Sequence, residues 1–324
     1  MIDFRYHLVS LISVFLALAV GVVLGAGPLQ NSLGNTLNDQ VTSLREDRNA
    51  TQGKLEQTET AVNERDEYIT AVAAAYLPSS LTDRKVALVA LPEADSSDLE
   101  TVTAQLEAAG ATVVARVSLT TAWVDTSRET FRSTYSGQFA GYMEGVTGTG
   151  NTVLGAGLAT ALTSSKEASA AALTDLLKAS DSPLMTVDAE PSEPADSVVV
   201  VGPRTTMTTG EAPTPAPTEG MSLVAWNEAL GGLASVTPCV VIGAADVKTD
   251  LVTQLRSSQT KVTTVDSVGQ VAAAVSVPLA LAHAQAGSSA AYGFDEGAEA
   301  VMPALAQAAA SAEPAPTDAG NTDQ

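Results

Sequence analysis

The chain has 324 residues, 45% of them hydrophobic, enough for about two domains of ordinary size and a packed core. With 16 Lys plus Arg against 37 Asp plus Glu, the net charge of -21 repels phosphate backbones and excludes nucleic-acid binding as a function class. The single cysteine, Cys239, rules out an intramolecular disulfide, a four-Cys zinc site and a CxxC redox pair, and the only histidines are His7 and His283.

Residues 8–28 contain no charge, and LVSLISVFLALAVGVVLGAG at 1.5 Å per residue is long enough to cross a hydrocarbon core ~30 Å thick. Residues 8–29 therefore predict a transmembrane anchor. A cleaved secretory signal would have a shorter apolar region, although Ala17, Ala19, Gly25 and Gly27 would suit a small-x-small site. The α-amino group and Arg5 precede the span, and nothing basic follows until Arg45. Residues 1–7 are thus expected in the cytoplasm, with the bulk of the chain periplasmic on a single-pass cytoplasmic-membrane anchor. Gly21 and Gly25, with Ala17 one turn earlier, have the small-xxx-small spacing that lets two membrane helices approach closely. Ordinary small residues in a membrane helix would give the same pattern.

Residues 31–80 change to a charged, Gln-rich and Thr-rich composition with a 3,4 spacing: Leu37, Val41, Leu44, Arg48, Thr51, Leu55, Thr58, Val62, Arg65, Ile69, Val72 and Tyr76. Most of these are apolar, which predicts a coiled-coil stalk and, for two chains anchored in register, a parallel homodimer. The alternative is an amphipathic helix folded back on its own domain. Arg48, Thr51, Thr58 and Arg65 weaken the seam but leave room for exchange with another helical protein. Gly53 softens its middle by ~1 kcal/mol relative to Ala.

From about 82 to 305 short β-branched runs alternate with alanine-rich helical stretches, which predicts an open, mostly parallel α/β sheet. Strands are expected at 85–91, 112–119, 184–188, 197–202, 239–243 and 261–266. Helices are expected at 95–109, 128–144, 152–164, 167–178, 221–233, 248–257 and 268–286. The proline-rich and threonine-rich stretch 203–220 reads as an exposed loop, and 312–324 as a disordered tail.

No catalytic constellation emerges. TGTGNTVLGAG has glycines at 148, 150, 155 and 157, but Ala156 and Gly157 stand where a Walker loop needs Lys and Ser or Thr, and Val153 breaks GxGxxG. Asn151 is expected to cap a helix instead. Gly202-Pro203-Arg204 and Gly243-Ala244-Ala245-Asp246 follow strands, where α/β folds bind ligands, yet such segments are more often plain turns. His283 reads as a helix-face residue, and Cys239, opening an apolar strand, as buried and inert. Met143, Met185, Met207, Met221 and Met302 are dispersed, with no MxxM, CxC or HxxM for copper(I). The expectation is a protein without catalytic, cofactor or metal residues.

MIDFRYHLVSLISVFLALAVGVVLG at the start, TAWVD at 121–125 and VDSVGQVAAAVSVPLALAHAQAGSSAAYG at 265–293 resemble the actinobacterial MctB family, within which the sequence is most similar to the corynebacterial SteB type. The resemblance runs over nearly the whole chain. It implies a cytoplasmic SteA-like partner, itself resembling thiamin pyrophosphokinase, and control of a septal NlpC/P60 peptidoglycan hydrolase during cell separation. The family label implies copper transport or homeostasis instead, although one apolar helix per chain offers no polar lumen. The regulator needs only an anchor, a stalk and an outer domain, and is the expected function.

Overall fold

The computed structural model describes the backbone of residues 4–26, 28–143, 145–179, 183–204, 222–258 and 260–304, with their side chains except 24–26, 28–36 and 223. Two compact units result, Met1–Arg65 and Asp66–Gln324. The loop expected at 203–220 lies outside the described residues beyond Arg204, as does the whole tail at 312–324.

The first unit is helical. Helix α1 (Phe4–Ala26) begins earlier than the charge-free run alone suggested, and within it Phe4–Val23 is long and apolar enough to cross a membrane. Its apolar residues point in every direction, as lipid requires and a water-exposed helix cannot afford. Helix α2 (Pro28–Tyr76) starts on Pro28, which is tolerated in a first turn because its missing N–H has no partner there anyway.

The second unit takes in the end of α2 and one sheet. Its strands are β1 (Lys85–Ala90), β2 (Thr112–Leu119), β3 (Met185–Ala189), β4 (Ser197–Val201), β5 (Cys239–Ile242), β6 (Thr263–Val265) and β7 (Ala291–Tyr292). Their spatial order is β3-β2-β1-β4-β5-β6-β7. All neighbours pair in parallel except β3, which runs antiparallel to β2 at one edge. Helices α3 (Ser96–Ala108), α4 (Glu129–Tyr135), α5 (Gly150–Thr163), α6 (Glu167–Lys178), α7 (Leu223–Val236), α8 (Leu251–Ser257) and α9 (Val271–Gln285) connect them.

Parallel strands covered on both faces need unbroken apolar runs, and SVVVV and CVVI provide them. Alternate side chains go to opposite cores. Ala87, Val89, Val198, Val200 and Val241 face Leu154 and Leu158 of α5 and Leu230 and Leu233 of α7. Val86, Leu88, Val199, Val201 and Val240 face Leu106 of α3, Val277 and Leu281 of α9, and Ala73, Leu77 and Leu81 at and just beyond the end of α2. Ala73 and Leu77 thus belong to the body of the second unit, where the stalk was expected to extend to residue 80.

Three other expectations are corrected. The helix expected at 128–144 ends at Tyr135 and continues as short 3-10 turns, Ser136–Gln138 and Ala140–Tyr142, because Gly137 and Gly141 interrupt it while Phe139 between them is fully buried. The cap of α5 is Thr149, whose Oγ1 accepts from Thr152 N at 3.3 Å, leaving Asn151 free for another role. Strand β7 went unanticipated because two residues carry no periodic signal.

The glycines of the rejected phosphate loop have a packing role. A Cβ on Gly155 would lie 1.9 Å from the carbonyl oxygen of Ala229, and one on Gly232 would lie 2.1 Å from that of Thr152. Helices α5 and α7 therefore cross backbone to backbone. Gly232→Ala should destabilise the protein by ~1–3 kcal/mol or more through forced separation of the helices, whereas Gly137→Ala, with open space around it, should stay within ~0.5 kcal/mol. Denaturant melts of the two variants check this contrast.

Candidate functional site

The sheet has one topological switch point. Chain progress runs from β1 to β2 on one side and from β4 through β7 on the other, so the carboxyl ends of β1 and β4 diverge, as at the ligand crevices of open α/β sheets. A cavity of about 180 Å³ lies there, lined by Leu91, Pro92 and Glu93 after β1, Thr121 and Val124 after β2, Pro203 and Arg204 after β4, Trp226 of α7, and Ala244 and Thr249–Leu251 after β5. Arg204 is held from outside the crevice. Its Nε donates to Asp98 Oδ2 at 2.7 Å, and its Nη2 donates to Asp98 Oδ1 at 2.7 Å and Ser97 Oγ at 3.2 Å. Asp98 is buried, and hydrogen bonding to it holds the Arg204 guanidinium firmly protonated. Glu93 sits on the rim with φ of +65°, a left-handed conformation that costs a non-glycine residue of order 1 kcal/mol. Of the two post-strand segments singled out in the sequence, the first supplies Arg204 and the second contributes Ala244.

TAWVD explains itself as architecture. Trp123 is buried, donates from Nε1 to Leu184 O at 2.7 Å and stacks on Trp226 at 6.1 Å between ring centroids. Asp125 accepts from Ser127 N and Oγ, which holds its carboxyl below the usual range. The backbone carbonyls of Ala122 and Asp125 accept from Nη1 of Arg132. Arg132 is 1% exposed, so burial lowers its pKa, and its Nε donates to Asn151 Oδ1 at 2.9 Å. Asn151 in turn donates to Glu228 Oε2. This is the other role of Asn151: it links α4, α5 and α7.

The closing motif serves another buried charge. Asp266 is 0% exposed and accepts from Arg256 Nη1 at 3.0 Å, Ser267 Oγ at 2.9 Å, Phe294 N at 2.9 Å and Asp295 N at 3.0 Å. Removing either partner of such a pair leaves an uncompensated buried charge, a loss of ~3–5 kcal/mol. Gly293 permits the turn: its φ is +135° and a Cβ would fall 1.8 Å from Asp266 Oδ1. His283 Nδ1 lies 2.9 Å from the Tyr292 hydroxyl, so this histidine is a structural partner of the tyrosine.

The soft metal ligands singled out in the sequence fall as follows. Cys239 is buried and burial pushes its thiol pKa up, which disfavours the thiolate copper(I) prefers. Met185 opens β3, four strand spacings from β5, roughly 19 Å away. Met207 and Met221 lie outside the described residues. Among the described residues, no group of three or more His, Cys, Asp or Glu could hold a metal ion.

Along α2 the expected seam is presented to the outside. Leu37, Val41, Leu44, Leu55 and Val62 are exposed, as are Arg48, Thr51, Thr58 and Arg65; Ile69 is half-buried, and Val72 and Tyr76 are exposed. Thr51 and Thr58 donate their hydroxyls to Asp47 O and Lys54 O of their own helix, which leaves their methyl groups compatible with an apolar neighbour. On α1, Ala17 and Gly21 are exposed, and Gly21 has open space around its Cα; the surroundings of Gly25 lie outside the described residues.

Residues 1–303 match the family described as "Copper transport outer membrane protein, MctB". Similar curated proteins are the copper transporter MctB of Mycobacterium tuberculosis (strain ATCC 25618 / H37Rv) and that of Mycobacterium bovis, each 34% identical over 41% of this chain and 43% of the relative. The copper transporter MctB of Mycobacterium leprae is 33% identical over 41% of this chain and 42% of the relative. The matched stretch spans about two fifths of the length of these relatives.

Beside the Asp266 lock, burial and then the charges of Asp266 and Asp246 raise the pKa of Asp295. A carboxyl whose folded pKa exceeds its unfolded value contributes stability at low pH that is lost as pH rises through the folded pKa. Asp295→Asn should therefore raise Tm at pH 7, and the gain should vanish as pH falls below the aspartate range. Thermal melts of both proteins between pH 3 and pH 7 measure the difference.

Proposed function

Because this chain belongs to the MctB family, we propose that it is a single-pass, non-catalytic protein of the cell envelope that serves copper homeostasis. The observation that carries this reading is the match over residues 1–303, which joins the apolar anchor helix and the α/β unit in one family pattern. Copper enters as the species handled rather than as a resident cofactor. Phe4–Ala26 anchors the chain, with its amino end on the cytoplasmic side because Arg5 precedes the span. The family's description names the outer membrane. We place this anchor in the cytoplasmic membrane because a lone apolar α-helix satisfies its own backbone there, whereas outer-membrane spans are typically closed β-barrels.

A second reading draws on α2. The exposed apolar stripe from Leu37 to Val62 favours a scaffold that pairs with helices: a second copy in parallel, or the helical segment of a septal NlpC/P60 peptidoglycan hydrolase. In that role the protein would regulate cell separation together with a SteA-like partner at its cytoplasmic end.

A deletion strain separates the two. Copper homeostasis predicts more cell-associated copper and growth arrest at a severalfold lower copper concentration, restored by the full chain and not by one lacking residues 4–26. Normal copper tolerance with chains of unseparated cells would replace the first reading with the second.

A further inference from the structure

Helix α2 presents an exposed apolar stripe along its length. Leu37, Val41, Leu44, Leu55 and Val62 are between 38% and 68% exposed. Where α2 enters the second unit, its last turns put Ala73 and Leu77 into the core at 4% and 1% exposure, yet Val72 and Tyr76, which continue the 3,4 spacing, stay at the surface. The body of that unit therefore takes a different face of the helix from the one that carries the stripe. An exposed apolar row of this period suits a neighbouring helix rather than water.

The register of the stripe identifies that neighbour. Its spacing puts Leu37 and Leu44 at the d positions of a heptad and Val41, Leu55 and Val62 at a, with Arg48 at a between them. β-Branched residues at a with leucine at d favour two parallel strands. In such a pair each g residue meets the e residue five positions later on the other helix. Lys54 at g would then meet Glu59 at e, twice by symmetry. The preceding couples, Gln40 with Arg45 and Asp47 with Gln52, bring no like charges together. The guanidinium of Arg48 would be flanked by Asp47 at the preceding g position of the second helix, with its stem along the seam. The stripe is thus complementary to itself, and two copies anchored through α1 leave the bilayer in the same direction and at the same height. We propose that α2 pairs with α2 of a second copy as a parallel, in-register two-stranded coil over residues 37–62, its register set by the Lys54–Glu59 and Arg48–Asp47 couples. This rests on the stripe invoked in the second reading above, commits it to one partner, and does not depend on a role in cell separation.

The experiment reconstitutes the full chain in lipid vesicles and oxidises single-cysteine variants, with the unsubstituted chain, whose Cys239 is buried, as the blank. Leu44→Cys and Leu55→Cys should each give a reducible dimer, because identical seam positions face each other at both sites only in a parallel, in-register pair. Glu46→Cys and Thr60→Cys, at the outer f positions, should stay monomeric. Sedimentation equilibrium of the full chain in detergent then reads the strength of pairing without a crosslink. Lys54→Glu and Glu59→Lys should each weaken the dimer by about tenfold, since repulsion replaces attraction at two symmetric couples. Joining both substitutions in one chain should restore it. All these residues are exposed, so the packed core of the second unit is undisturbed by the changes. A double variant no stronger than the single ones would assign the stripe to a different helical protein and overturn the proposal. So would a monomer at every concentration, crosslinking at only one of positions 44 and 55, or crosslinking at 46 and 60 as complete as at the seam. A dimeric protein whose deletion strain separates normally removes the second reading and keeps the pairing; a monomeric protein whose deletion strain forms chains removes the pairing and keeps the second reading.

Discussion

The second unit depends on one constraint: its central strands are buried on both faces. A strand in that position must be apolar at every residue, and a parallel arrangement then requires each connection to return over one face or the other. Val198–Val201 meets the first demand, with Val198 and Val200 entering one core and Val199 and Val201 the other. The second demand places α5, α6 and α7 on one side and α3, α9 and the end of α2 on the other. The switch between β1 and β4, and with it the crevice, follows from the order in which those connections are made.

The two charged groups buried deepest in this body, Arg132 and Asp266, are each held by several hydrogen bonds. Arg132 spans the backbone of the 122–125 turn and Asn151, while Asp266 gathers Arg256 and the backbone of residues 294 and 295 onto β6. Each fixes irregular chain that apolar contacts alone would orient poorly. The TAWVD and Tyr292-Gly293 segments are thereby accounted for as construction: one seats a tryptophan and receives a buried guanidinium, the other makes room for a buried carboxylate. Neither assembles a nucleophile with a base.

Much of this was legible because β-branched runs and glycine stops carry strong local signals. The bounds of β2 and α6 agree with those read from periodicity, and β1, β4 and β5 differ by a residue at their ends. Signals failed where tertiary partners decide. The direction of β3 depends on its pairing with β2 and not on its own residues, and β7 is a strand only because β6 lies beside it. The crevice was visible as two post-strand segments, but its charge was not: Asp98 meets Arg204 across 106 residues, and Trp226 arrives from another helix. The glycines at 155 and 232 resembled loop chemistry or plain helix residues until the α5–α7 crossing gave them a purpose.

Family membership and architecture together describe an apolar helix long enough to cross a bilayer, a long helix whose 3,4 stripe is exposed, and an α/β unit built on a sheet covered on both faces. The crevice lies where β1 and β4 diverge, and those two strands, paired in parallel at the interior of the sheet, should form the most stable part of that unit. Amide hydrogen exchange on the membrane-anchored chain tests this directly. Residues 86–90 and 197–201 should exchange only through global unfolding, more slowly than β3 and β7 at the sheet edges. Faster exchange in β1 and β4 than at those edges would contradict the account.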